Sequence, residues 1–337
     1  YTLWHTLSLH DALPISLARA TQAAITVACF ALLWQLAQGE SALRHLAGAD
    51  PRWMTCAVAA LTVQTMLSAL RWRLTAGQLG IALRRRTAIG EYYLSQLVNQ
   101  ALPGGVLGDA GRALRARSQA GLLASGQAVA FERLAGQLAL GVVFAAGVVG
   151  TWSVPGGFDA PAWLMRALFL CFAAGAAALL LLWYLSATEP DRPASAITAR
   201  TLRAAAGLRT AFLQAVAAPD VRARQVFLSL GTAVCNIAAF AFCAAAIGLS
   251  LPPSAAQVLV PMILFSMLIP LTISGWGLRE GAAVSLLPLA GATGAEALAS
   301  SIAFGLAIVL AALPGVLAAA FAARNGAQVS PGATAAE

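Results

Sequence analysis

The chain has 337 residues, of which 60% are hydrophobic and only 10% are charged, and its formal net charge is +8. All 21 basic residues are arginines, which excludes chemistry that needs a Schiff-base lysine or a phosphate-loop lysine. The five cysteines lie in apolar stretches without metal-ligand spacing, and only three histidines are present. We therefore expect an all-α integral membrane protein with no cofactor, no metal and no nucleic-acid partner.

Six long windows carry few or no charges, and a span needs ~20 apolar residues to cross ~30 Å of hydrocarbon. They lie at 21–38, 53–70, 127–149, 162–185, 226–249 and 296–322. Residues 1–16 resemble translated sequencing-adapter read-through, so the fold is predicted from residue 17 onwards. The sequence thus predicts about six full transmembrane helices in one domain at 17–325, followed by a disordered polar tail at 326–337.

Two further apolar segments are interrupted by proline and glycine. Ala88–Ala101 is too short to cross and ends before Pro103-Gly104-Gly105, while Ala255–Ile269 breaks from Pro270 through Gly277 and continues as a short helix from Glu280 to Leu289. Irregular backbone is tolerated at membrane depth only where it is buried in protein or lines a watery cavity. We predict two re-entrant broken helices, one in each half of the chain.

The arginines indicate the orientation of the spans. Most of them, including Arg71 at the end of the second window, fall on one side if the amino terminus is cytoplasmic, so both termini and the arginine-rich linker at 186–224 are predicted to be cytoplasmic. The loops at 39–52 and 151–161 would then be exterior. Because the two broken segments would enter from opposite sides, residues 17–150 and 162–325 are expected to form inverted repeats.

The residues at and near the breaks suit an anionic headgroup. Glycines let backbone N–H groups approach a phosphate, and arginines can bind it in bidentate fashion. We expect Arg112 and Arg279 to hold the headgroup jointly, although these charges could instead neutralise their acidic neighbours or cap helix ends. The candidate substrate-binding residues are Asn99, Pro103, Gly104, Gly105, Gly108, Asp109, Arg112, Glu132, Arg133, Gly275, Gly277, Arg279 and Glu280.

Three stretches contain these candidate residues: Asn99–Arg112, Phe131-Glu132-Arg133 and Ser274–Glu280. Together they resemble the membrane domain of the lysylphosphatidylglycerol synthase transmembrane family, also called flippase-like domain proteins. The resemblance implies a multi-pass protein of the bacterial inner membrane that translocates an anionic or aminoacylated phospholipid or a lipid-linked headgroup. The large synthases of the family also carry a cytoplasmic aminoacyl-transferase domain. Since this sequence ends shortly after its last span, we expect no synthase activity from it.

Two alternatives remain open at this stage. A membrane-embedded transferase acting on lipid-linked sugars would need a carboxylate base, for which Asp109, Glu132 or Glu280 could serve. An accessory subunit would instead bind a separate synthase or transferase through the basic linker at 186–224. The expected partner is a membrane phospholipid or glycolipid, with a separate synthase or transferase as a possible protein partner.

Overall fold

The computed structural model describes residues 9–101, 106–153, 196–268 and 272–327, with single positions between 166 and 184. Within these residues the chain is helical and contains no strand, which confirms the all-α fold. Short 3-10 turns at Ile273–Gly275 and Leu287–Ala290 and a π turn at Leu213–Ala217 join some of the helices. The helices are α1 Leu9–Leu36, α2 Gly39–Ala47, α3 Pro51–Gln78, α4 Arg85–Ala101, α5 Leu107–Ser153, α6 Ala196–Phe212, α7 Arg222–Ala246, α8 Pro253–Ser266, α9 Leu278–Leu286, α10 Gly294–Ala312 and α11 Pro314–Ala327.

Four stretches of the described chain are long and apolar enough to cross a membrane: α3, α5, α7 and the continuous stretch of α10 and α11. The pair α1 and α2 is a fifth span if the two helices are taken as one, bent by 89° between Leu36 and Gly39. These stretches account for five of the six predicted windows, and the window at 162–185 lies mostly outside the described residues. The architecture is that of a multi-pass membrane protein.

The central helices α3 and α7 pack side by side in antiparallel orientation. At one end the Asp50 amide donates a hydrogen bond to the Ala246 carbonyl at 2.8 Å. At the other end Gln225 Nε2 donates to Thr75 Oγ1 at 2.9 Å. Because α3 belongs to the first half and α7 to the second, this pair joins the two halves along their length.

Helix α4 and the first part of α5 form a helical hairpin. Its limbs are joined in antiparallel order by two contacts, Ser95 with Asp109 and Glu91 with Arg115, and just before α4 the Ala82 amide donates to Gln119. The chain therefore returns towards the end of the bundle from which it entered, the shape expected of the first re-entrant segment. Gly121, with φ +81° and ψ 169°, then interrupts α5, which continues as a long apolar helix. The turn itself, with Pro103, Gly104 and Gly105, lies outside the described residues.

The second break separates α8 from α9. Pro270 is outside the described residues, but the turn that follows contains Ser274, Gly275 and Gly277, all with positive φ. Gly277, at φ +88°, donates its amide to Glu280 Oε2 at 2.6 Å and so begins α9. Glycine suits this position because side chains rarely adopt this left-handed backbone conformation. The short helix predicted to start at Glu280 begins two residues earlier, at Leu278.

Candidate functional site

A cavity of about 410 Å³ lies where the two broken segments meet, between α3, α4, α5, α7, α8 and α10. Its lining includes a set of amide side chains: Gln64, Gln96, Asn99, Gln100, Gln137 and Asn236. Burying amides in an apolar bundle costs free energy unless they are hydrogen-bonded or solvated. So many amides around one cavity therefore indicate a polar, water-accessible interior.

Glu132 of α5 is the centre of the charge cluster on the wall of this cavity. Its side chain is 0% exposed. Oε1 accepts hydrogen bonds from Arg71 Nη2 at 2.6 Å and Arg71 Nε at 3.2 Å, while Oε2 accepts one from Arg112 Nη2 at 2.9 Å. The Tyr92 hydroxyl donates a further bond to Oε1 at 3.3 Å. Glu132 thus ties α3, α4 and both parts of α5 together.

Asp109, near the start of α5, continues the cluster. It accepts a hydrogen bond from the Ser95 hydroxyl at 2.9 Å and lies 3.1 Å from Arg112 Nη2. It also forms an ion pair with Arg133, whose side chain is 46% exposed. With Arg71 and Glu132 the cluster contains three guanidinium groups and two carboxylates, a net charge of +1.

Arg112 lies behind the cavity wall and is nearly fully buried. Its guanidinium sits 4.8 Å from the Trp72 ring and 4.5 Å from the Tyr92 ring, in cation–π geometry. Nε and Nη1 have no hydrogen-bond partner in the described part of the chain. In this position the positive charge of Arg112 can hold the carboxylates of Asp109 and Glu132 in place.

Arg279 and Glu280 form a separate buried pair in the second half. Arg279 donates to Glu280 and, through Nε, to Ser301 Oγ at 3.0 Å. The guanidinium also stacks on Trp276 at 4.6 Å. A Cβ at Gly305 would overlap both Arg279 and Trp276, so glycine is needed on α10 for this close packing.

Asn99 connects the two breaks. Its side-chain oxygen accepts a hydrogen bond from the Gly108 amide at 2.8 Å, at the start of α5. Its main-chain carbonyl accepts a hydrogen bond from the Ser274 hydroxyl in the second break. Gly108 allows this packing because a Cβ there would overlap the Ser95 carbonyl of α4.

The structure divides the sequence-predicted residues into groups. The cavity is lined by Asn99, Asp109, Glu132, Arg133 and Gly275. The residues outside that lining are Gly108, Arg112, Gly277, Arg279 and Glu280. The remaining candidates, Pro103, Gly104 and Gly105, lie outside the described residues. Direct contact of any of these residues with a headgroup stays a prediction.

Sequence reasoning missed Arg71 as a site residue. The charge asymmetry of the sequence assigns it to the cytoplasmic arginines, but in the structure its side chain is buried in α3 and donates to Glu132 and to Thr232 Oγ1, the latter at 2.9 Å. A charge count along the chain ignores the face of the helix on which a residue lies. The missed signal was a polar stripe at helical spacing: Gln64, Ser68, Arg71 and Thr75.

The fold and the cavity define a polytopic helical membrane protein with a polar interior site between two interrupted helices. The family model described as the lysylphosphatidylglycerol synthase TM region matches residues 20–315. This match covers most of the sequence, so the protein belongs to that family, and the resemblance seen in the sequence is confirmed. A search of curated proteins gives no match.

Proposed function

We propose that this protein translocates an anionic or aminoacylated phospholipid, or a lipid-linked headgroup, across the bacterial inner membrane, with both termini in the cytoplasm. The observation that carries the proposal is the polar cavity of about 410 Å³ with a charge cluster of net +1 on its wall. Its volume is in the usual range for small-molecule sites. An apolar bundle has no structural need for such an interior.

The headgroup phosphate is expected to bind at Arg133. This arginine lines the cavity, is half exposed and contacts the single carboxylate of Asp109, so part of its guanidinium is available to a ligand. Arg71 lies on the same wall, with one Nη on Glu132 and the other on Thr232. The cavity amides can bind the glycerol, sugar or aminoacyl part of a headgroup.

Arg112 and Arg279 have a supporting role in this mechanism. Arg112 holds the two carboxylates of the cluster, and Arg279 holds the turn that brings Gly275 to the cavity. Only the headgroup needs the polar interior, since the acyl chains can remain in the surrounding lipid. Moving a charged group through bare hydrocarbon costs several kcal/mol of free energy, and the polar cavity removes most of this cost.

The test is a sided assay in vesicles that contain fluorescently labelled phosphatidylglycerol. An impermeant quencher measures how fast the label appears on the opposite leaflet. Arg133→Gln should slow this rate roughly tenfold or more, because a hydrogen bond to a charged group contributes about 1.5–3 kcal/mol. Its abundance and melting temperature should stay close to those of the unmodified protein, because the side chain is half exposed.

Arg115→Gln is the matched control. Arg115 pairs with Glu91 on the same hairpin and its side chain is 43% exposed, but it does not line the cavity. The control should keep the full translocation rate. Equal rates for Arg133→Gln and Arg115→Gln would contradict the proposal.

A further inference from the structure

A second concave site lies away from the central cavity, at the end of the bundle where α3 ends and α4 and α7 begin. It is a groove of about 540 Å³. Three arginines from three helices line it, Arg73, Arg85 and Arg224, together with apolar side chains that include Leu70, Phe227 and Leu228. No acidic side chain contributes to this lining.

The three arginines have no carboxylate partner among the described residues. Arg73 is fixed by a hydrogen bond from Nε to the Leu83 carbonyl at 2.7 Å, and Arg85 and Arg224 are exposed. The acidic residue nearest to Arg224 in sequence, Asp220, accepts a hydrogen bond from Gln78 instead. Three like charges converging on one groove repel each other, and an anion bound between them would relieve this repulsion.

The apolar part of the groove indicates what kind of anion fits. Phe227 is 72% exposed although it lies beside the arginines. A free inorganic anion gains nothing from an exposed phenyl ring, whereas an acyl chain does. The combination of guanidinium groups with an open apolar wall matches an amphiphile with a negatively charged head.

We propose that this groove binds one anionic phospholipid from the adjoining leaflet. The phosphate lies between Arg73, Arg85 and Arg224, and an acyl chain runs along Leu70 and Phe227. This lipid is retained at the ends of α3, α4 and α7, so it is distinct from the lipid whose headgroup enters the central cavity.

Photo-crosslinking of detergent-purified protein with a diazirine-tailed phosphatidylglycerol tests the proposal. The crosslinked peptides should include the stretch from Ala223 to Leu228, which contains no residue of the central cavity lining. The double change Arg85→Gln/Arg224→Gln should weaken this labelling roughly tenfold or more, because each basic residue near anionic lipid contributes a factor of about five. Diazirine-tailed phosphatidylcholine should label these peptides weakly in both proteins.

Arg84→Gln/Arg222→Gln is the matched control. It removes the same charge from exposed arginines next to the groove that do not line it, and it should keep the phosphatidylglycerol labelling. Because the crosslinks are assigned to individual peptides, labelling of the groove is measured separately from any labelling of the central cavity. The result therefore does not depend on whether the protein translocates lipid.

Three outcomes would overturn the proposal. Equal loss of labelling in the two double variants would mean that only overall charge matters. Full competition by millimolar inorganic phosphate would identify a free-anion site. Crosslinks confined to peptides outside the groove would show that the lipid binds elsewhere.

Discussion

Glu132→Gln should strongly destabilise the protein. The carboxylate accepts hydrogen bonds from Arg71 and Arg112 with no exposure to solvent. The neutral amide can accept from one of them but turns an N–H group towards the other, and the net charge of the cluster rises from +1 to +2. Removing one partner from a buried ion pair costs about 3–5 kcal/mol, and here two guanidinium groups lose their shared partner.

The free energy of unfolding can be measured in mixed micelles by denaturant titration, with tryptophan fluorescence as the signal. Glu91→Gln is the matched control, because Glu91 pairs with Arg115 at the surface of the hairpin, where an ion pair contributes less than about 1 kcal/mol. A difference between the two variants smaller than about 1 kcal/mol would refute the reasoning.

A second change identifies the cause of the loss. Adding Arg71→Gln to Glu132→Gln returns the net charge of the cluster to +1 and leaves Arg112 and Arg133 in contact with Asp109. The double variant should therefore recover part of the lost stability. No recovery would assign the loss to packing of α5 rather than to unpaired charge.

Three further predictions concern topology and packing. Cysteines introduced at Ser153 and Ser195 of a cysteine-free protein should be labelled from opposite sides of the membrane, and labelling from one side would contradict the predicted arrangement of spans. Reporters fused after Arg86 and after Gln119 should show the same sidedness, because α4 and the start of α5 form a hairpin; opposite sidedness would make α4 a full span. Gly108→Ala should lower the free energy of unfolding by about 1–3 kcal/mol in the same titration, since its Cβ would overlap a carbonyl of α4, and an unchanged value would exclude this close approach.

The position of the second break could be predicted from the sequence. Gly275 and Gly277 mark the second break because positive φ angles favour glycine, and the structure has positive φ at both. The approximate positions of the long helices followed from window length and hydropathy. The bend of 89° between α1 and α2 was not predicted, because nothing in the run around Gln38 and Gly39 specifies its angle.

The partners of the charged residues could not be derived from sequence. The pairing of Asp109 with Arg112 is the alternative that the sequence leaves open beside headgroup binding, and the structure contains this pair. Glu132 and Arg71 are separated by 61 positions, and their contact depends on which faces of α3 and α5 pack together. The sequence shows the polar stripe of α3, but it does not show which helix packs against that stripe.

Some polar contacts of α3 join residues that are far apart in the sequence, and this separation has a consequence for biogenesis. Thr75 receives its hydrogen bond from Gln225, 150 positions later, and Arg71 reaches Thr232, 161 positions later. When the ribosome has completed α3, these partners have not yet been synthesised, so the contacts of Arg71 and Thr75 with α7 cannot form at that point. The contacts that join the two halves along α3 therefore form only after α7 has inserted, which makes this packing step post-insertional.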